Sequence, residues 1–313
     1  GPDDYLRPEF ALATNDGDVI IQNNDSRIQK FTGYNQLNLM QKVRYETNQG
    51  LSFDFGLHYA TTSDIPRYDR LIRYENNTLR STEWNYGPQN WFMSNLQATK
   101  LSSRSNLYDK IKTTIAYQNF QESRTDRDFQ SVTRNERNEA VNAYSFNLDL
   151  EKSISPRIKI FYGAEYLLNK VKSKGYEENI SNGILTKTVS RYPDGSSWES
   201  AAAYASIKYK PNPKFVFQSG LRYNYVLSKA DFQENNEFLN LPFSSAKNES
   251  DALTGTAGIS WSPSTAIQWR LNASSAFRAP NIDDIGKVFD SEPGSVVVPN
   301  ENLMAEYAYG GEL

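Results

Sequence analysis

Along most of this chain apolar and polar residues alternate one for one, the period of a β-strand with two unlike faces. Leu51, Phe53, Phe55, Leu57 and Tyr59 alternate with Ser52, Asp54, Gly56, His58 and Ala60. Tyr144, Phe146, Leu148 and Leu150 alternate with Ser145, Asn147 and Asp149, and Ile158, Ile160, Tyr162, Ala164, Tyr166 and Leu168 with a set that includes Lys159, Gly163 and Glu165. The same beat runs through Phe215–Tyr225 and Ile267–Ser274. The pattern predicts about eleven strands, roughly 36–45, 51–60, 91–101, 108–119, 141–151, 157–169, 201–210, 214–227, 251–261, 266–277 and 304–313. No segment shows a helical period.

Alternation alone fits a soluble sandwich as well as a membrane barrel. The connections separate the two. Short turns fall at Glu46–Gly50, Ser102–Leu107, Lys152–Pro156, Pro211–Pro213 and Ser262–Thr265, and several carry the Pro, Asn or Gly that tight turns need. Between them lie long polar stretches at 61–90, 120–140, 170–200, 228–250 and 278–303. Strict alternation of short and long connections puts all turns at one rim of an up-and-down meander and all loops at the other. That is the asymmetry of outer-membrane barrels, with short periplasmic turns and long extracellular loops. A strand of ~10 residues rises ~33 Å and, tilted by ~40°, covers the ~25 Å apolar band.

The outward aromatics agree. Tyr45, Tyr209, Phe215, Phe217, Trp261 and Trp269 lie toward the turn rim, and Tyr59, Tyr117, Tyr166, Tyr223, Tyr225 and Phe277 toward the loop rim. Two such girdles mark the membrane–water interfaces. Lys42, Arg44, Asp54, Lys110, Lys112, Lys208 and Arg222 fall on the opposite, lumen phase. The fold expected is therefore all-β: an antiparallel transmembrane β-barrel wall.

Composition narrows the classes. No apolar run approaches the ~18 residues of a spanning helix. The 34 basic and 37 acidic residues are mixed along the chain, for a net charge of −3, so nucleic acid is not an expected partner. With no Cys there is neither a disulfide framework nor a thiolate metal site. The chain opens without a signal peptide or Met and closes within what reads as a strand, so both ends are expected to be cuts in a longer chain.

Phe277-Arg278-Ala279-Pro280-Asn281, with Pro299-Asn300-Glu301-Asn302-Leu303 and Glu306-Tyr307 after it, resembles a pair of boxes in the barrels of TonB-dependent outer-membrane receptors. Asp64–Leu71 (DIPRYDRL), Trp84–Gln89 (WNYGPQ) and Ser260–Pro263 (SWSP) are similar to receptors of this class from Bacteroidetes-type bacteria. The resemblance covers essentially the whole chain. It implies a bacterial outer-membrane location and energised uptake of a scarce, bulky nutrient, with a plug domain in the barrel and an N-terminal segment that engages the TonB complex. Neither is recognisable here. Residues 1–313 are therefore expected to be a partial barrel domain without plug or C-terminal strands, about half the wall of a ~22-stranded transporter.

Candidate chemistry is sparse. The single His, His58, falls in lumen phase with no evident Ser or carboxylate partner, so no catalytic constellation forms, no enzyme is expected and no cofactor is required. Asp283-Asp284 lacks the further oxygens of a hard-cation loop, and Asn15–Asp18 (NDGD) reads as a turn. The run Glu122–Arg137 reads as a solvated loop whose arginines could meet an anionic ligand or lipopolysaccharide phosphates. The loop or lumen candidates for ligand contact are Arg67, Tyr68, Trp84, Arg124, Arg127 and Arg278, the last also a structural tie between its loop and the wall. No His lies between Phe277 and Leu303, where haem receptors resembling this family carry one, so an iron chelate of the siderophore class is favoured over haem. A passive porin-like channel or an outer-membrane adhesin is the alternative the same wall allows.

Overall fold

The computed structural model describes residues 6–287, 300 and 302–313. Its main sheet is one antiparallel wall. In chain order the long strands are β3 (Gln36–Glu46), β4 (Leu51–Thr62), β8 (Ser81–Leu101), β9 (Lys110–Asp128), β10 (Thr133–Ser155), β11 (Ile158–Asn179), β13 (Ser197–Asn212), β14 (Phe215–Asp231), β15 (Ser245–Trp261), β16 (Trp269–Arg278) and β17 (Glu306–Glu312). Each pairs with its neighbour in sequence among these strands, from β3 at one edge to β17 at the other. The meander is the one the connections imply, and β3 and β17 do not pair with each other, so the wall is open. Two short strands hang on it: β5 (Ile65–Pro66) on β8 and β12 (Ile184–Thr188) on β11.

Side chains of the outward phase stand exposed across the middle of the wall, among them Leu221 at 59%, Leu253 at 65% and Leu271 at 54%. A contiguous apolar face of this kind is unfavourable in water and is what a bilayer covers. The lumen phase is polar and internally paired. Arg222 meets Glu165 at 2.6 Å, Asn147 donates to the same carboxylate, Lys112 lies 3.2 Å from Asp149, and Tyr204 donates to Asp149.

Four corrections to the sequence reading arise at the loop rim. The 120–140 stretch is not a solvated loop: β9 and β10 run on, paired residue for residue through Asn135↔Asp126, and turn between Asp128 and Thr133. The wall likewise continues upward in β8, β11, β14 and β15, to 17–22 residues per strand, whereas about 10 cross a bilayer. Above the bilayer both faces of a strand meet water, so the alternation that marks a strand disappears while the backbone ladder persists. Second, a hairpin precedes the wall, β1 (Glu9–Thr14) paired with β2 (Gly17–Gln22), its turn at the Asn15-Asp16-Gly17 signal. Third, the 61–90 stretch holds a helical turn, α1 (Tyr68–Leu71), and a two-residue hairpin of β6 (Tyr74–Glu75) and β7 (Thr78–Leu79). Fourth, α2 (Ile282–Gly286) follows β16, opened by a capping box in which Asn281 and Asp284 exchange hydrogen bonds.

The buried core sits under these upper elements rather than inside the wall. Phe232, Ala230 and Ala246 form one cluster, and Val171, Ile282 and Ile285 another, flanked by Val141, Tyr192, Trp198 and Leu303. Of the box Pro299–Leu303, Pro299 and Glu301 lie outside the described residues.

Candidate functional site

On the lumen face above the bilayer, β8, β9 and β10 bring polar and aromatic side chains into rows. Trp84 pairs with Asp126, Tyr86 with Arg124 and Gln89 with Glu122; Arg124 then faces Arg137, and Glu122 faces Glu139. The aim of Trp84 and Tyr86 depends on one irregularity. Between Tyr86 and Gln89 the register slips, so that β8 carries one more residue than β9 over that step. A bulge of this kind reverses the in–out phase of everything beyond it. Lower on β8 the lumen side chains are odd-numbered, His58 stacking on Trp91 at 4.6 Å. Above the bulge they are even-numbered. Gly87 holds the bulge at φ +91°, with the Ser63 carbonyl 3.0 Å from where a Cβ would sit.

β5 then places α1 against these aromatics, because Ile65 pairs with Tyr86 and the Arg67 amide donates to the Trp84 carbonyl at 2.8 Å. The Arg67 guanidinium stands 4.6 Å from the Tyr86 ring and 5.4 Å from that of Trp84. Arg70 lies 5.5 Å from Trp84, and Arg124 lies 4.6 Å from Tyr86. The result is a ladder of guanidinium groups and aromatic rings, each contact within cation–π range. Carboxylates steady it from behind. Asp69 accepts two 2.7 Å hydrogen bonds from Arg67, and Glu122 accepts from Arg124 and from Gln89. The Asp69 pair holds Arg67 more firmly protonated and depresses the Asp69 carboxyl. In this patch Arg67, Arg70, Arg124 and Arg137 are matched in number by Asp69, Glu122, Asp126 and Glu139, so guanidinium and carboxylate groups are interleaved along the lumen face.

The sequence candidates thus separate. Arg67, Trp84 and Arg124 come together, joined by Tyr86 and Arg70, which the sequence did not single out; the bulge that aims them falls at Gly87-Pro88, within the stretch 61–90 that the sequence reads as a loop. Tyr68 stands within electrostatic range of Arg7. Arg127 sits on the opposite face, 1% exposed, donating to both oxygens of Asp18, to Glu83 and to the Ser131 carbonyl. It clamps the β1–β2 hairpin to the wall. Arg278 donates to both oxygens of Asp284 and lies 3.5 Å from Glu306, tying α2 to β16 and β17. Asp283 accepts from the Tyr192 hydroxyl at 2.7 Å. Among the described residues no group of three His, Cys, Asp or Glu side chains is placed to hold a metal ion.

A wall of long antiparallel strands, apolar outside and charged inside, with an arginine–aromatic patch at its loop rim, defines part of a membrane-spanning β-barrel. The profile of the TonB dependent receptor-like, beta-barrel family matches residues 13–313, and the chain belongs to that family. No curated protein sequence matches it. Among solved structures, the copper transporter OprC superposes with a TM-score of 0.68 at 10% identity, over 89% of this chain and 42% of that one. The siderophore receptor PiuA from Acinetobacter baumannii gives 0.60 at 13% identity, over 88% and 46%. The ferric yersiniabactin uptake receptor FyuA from Yersinia pestis gives 0.57 at 15% identity, over 88% and 40%. At these identities the likeness is one of fold, and the chain spans less than half the length of each of these proteins.

Proposed function

We propose that this wall belongs to a bacterial outer-membrane receptor for TonB-energised uptake of a bulky, anionic nutrient complex, an iron chelate of the siderophore class. The observation that carries the reading is the ladder of Arg67, Tyr86, Arg124, Trp84 and Arg70 on the lumen face at the extracellular mouth. Guanidinium groups already held against rings and braced by carboxylates lose little freedom on meeting an anion, and their planar forks suit carboxylate or other oxyanion edges. A large complex presents several such edges at once. In this reading the rest of the barrel, a plug and a TonB-engaging segment belong to the same protein, and the exposed outer face is covered by lipid.

The test is equilibrium binding of ferric siderophores of carboxylate and catecholate type to the intact protein, followed by tryptophan fluorescence. Arg67→Ala and Arg124→Ala should each weaken binding about tenfold to a hundredfold, the worth of a charged hydrogen bond. Uptake by cells should stop when TonB is deleted. Unchanged affinity in both variants would remove the ladder from the reading. TonB-independent solute flux through the purified protein in liposomes would favour the porin-like alternative.

A further inference from the structure

Beside the ladder, where β10, β11 and β13 pass under α2, the lumen face opens into a cavity of about 470 Å³. Val141, Val171 and Ile282 give it an apolar floor and roof, and Tyr192 and Trp198 line its sides. Two polar groups in it are incomplete. Both carboxyl oxygens of Glu139 are buried and have no hydrogen-bond partner among the described residues, and neither does the buried indole Nε1 of Trp198. An acceptor pair and a donor left open in one apolar cavity cost stability unless something completes them. The volume falls within the range of small-molecule sites.

The charges around Glu139 decide what completes them. Arg191, Arg124 and Arg137 stand within electrostatic range, Arg124 paired with Glu122 and Arg137 with Asp126, and Asp283 lines the cavity with its carboxylate accepting from the Tyr192 hydroxyl. The surroundings are thus mixed: a cation entering here would meet three guanidinium groups, and an anion would meet both Glu139 and Asp283. A neutral donor meets neither objection. Burial pushes the Glu139 carboxyl above its usual range, which accords with an uncharged partner.

We infer that this cavity is a binding subsite for an aromatic ring carrying neutral hydroxyl groups, of the phenol or catechol class. The hydroxyls donate to the Glu139 carboxyl oxygens, Trp198 Nε1 donates to a hydroxyl oxygen, and the ring lies on Val141, Val171 and Ile282. Two adjacent hydroxyls match the two open oxygens of one carboxyl group, so a catechol completes the site better than a phenol. A hydroxyl that is chelating iron has lost its proton, so the ring held here is a metal-free one, either a separate molecule or a non-chelating arm of the transported complex. The subsite deepens the uptake reading above, because a bulky ligand seated on the ladder could place such an arm in it. It is nevertheless tested without iron or an energised membrane.

The experiment titrates catechol, phenol, anisole and methyl glucoside into the intact protein, with ligand-observed NMR as the readout. Catechol should bind most tightly and phenol less so, with anisole, which donates no hydrogen bond, about tenfold or more weaker than catechol. Glu139→Gln and Trp198→Phe should each weaken catechol about tenfold. Neither group has a hydrogen-bond partner among the described residues, so neither variant should lower the unfolding temperature. Equal binding of anisole would reduce the site to an apolar hole, and tighter binding of the glucoside would make it a sugar site; either result overturns the assignment. So would a marked loss of stability in Glu139→Gln, which would show that another part of the intact protein already completes that carboxyl group. Catechol binding without chelate transport would overturn only the uptake reading, and transport without catechol binding only this one.

Discussion

Replacing Arg127 with Ala should release the β1–β2 hairpin from the wall while leaving the wall folded. Arg127 is 1% exposed and its partner Asp18 is 3% exposed. Asp18 accepts from Arg127 Nη1 at 2.8 Å, from Nη2 at 2.7 Å, from the Thr82 hydroxyl at 2.7 Å and from the Gln130 amide at 2.7 Å. Burial opposes ionisation of Asp18, but these donors outweigh it and hold the carboxyl below its usual range. Breaking a buried ion pair by removing one partner costs about 3–5 kcal/mol, because the other charge stays buried. Thr82 and Gln130 still serve Asp18 in the variant, so the lower end applies, about 3 kcal/mol, or roughly 150-fold in the docking equilibrium. An undocked two-stranded hairpin is marginal in water. Amide hydrogen exchange in residues 9–22 should therefore accelerate by about two powers of ten, with strands β9 and β10 unaffected. Arg127→Lys keeps the charge but not the fork that reaches Asp18 and Glu83 together, and should fall between. Unchanged protection in 9–22 would refute the clamp. Equal loss through β9 and β10 would mean that Arg127 holds the strands rather than the hairpin.

Two further outcomes follow from the same geometry. At the turn rim Asp109 accepts from Lys152 and from the Ser153 amide, which brings its carboxyl down from an ordinary 3.8 to about 2. A depressed acid stabilises the fold above its unfolded pKa and loses that contribution as pH falls through the folded one. Protection of the Ser153 amide should accordingly hold at pH 4 and fall toward pH 2, and a midpoint near 3.8 would contradict the Lys152 contact. Gly87→Val should disfavour the bulge, because Gly87 stands at φ +91° with the Ser63 carbonyl 3.0 Å from where a Cβ would sit, and a β8 straightened with every residue retained turns Trp84 and Tyr86 to the outer phase. Chelate binding should then be lost while heat-stable barrel mobility on a gel is kept, and retained binding would show that the bulge does not set the site.

What the sequence revealed of the fold follows the position of the bilayer. Where one face meets lipid and the other the lumen, as in Leu51–Tyr59 or Tyr144–Leu150, selection on each face leaves a period of two, and the wall strands are legible. Above the membrane the constraint changes. The stretch Glu122–Arg137 carries charge on both faces, so its sequence reads as a loop although its ladder is unbroken. The strands there are held by cross-strand ion pairs, Arg134 bridging Glu83 and Glu178 and Arg137 facing Asp126. Such pairs appear in composition only as mixed charge, the signature also of a solvated loop. The hairpin at residues 9–22 was half legible: its turn was evident, but two six-residue strands outside the meander had no rhythm to join.

The candidate site was legible as residue types and not as a constellation, and the bulge at Gly87 shows why. Carried upward unchanged from Trp91 and Met93, the phase of β8 would send Trp84 and Tyr86 outward, away from Arg124. One additional residue reverses them, and only then does β5 deliver Arg67 onto their rings. The ladder therefore depends on a local departure from the periodicity that identifies the fold. The arginines separate for a related reason. Arg124 and Arg127 are three apart on one strand, so they face opposite sides of it, one to the lumen and one to a buried clamp. A run of like residues in a sequence gave both the same standing. The pleat of the strand gives one a lumen-facing position beside Arg67, Arg70 and Arg137 and the other a structural one, so the guanidinium cluster at the mouth owes nothing to Arg127.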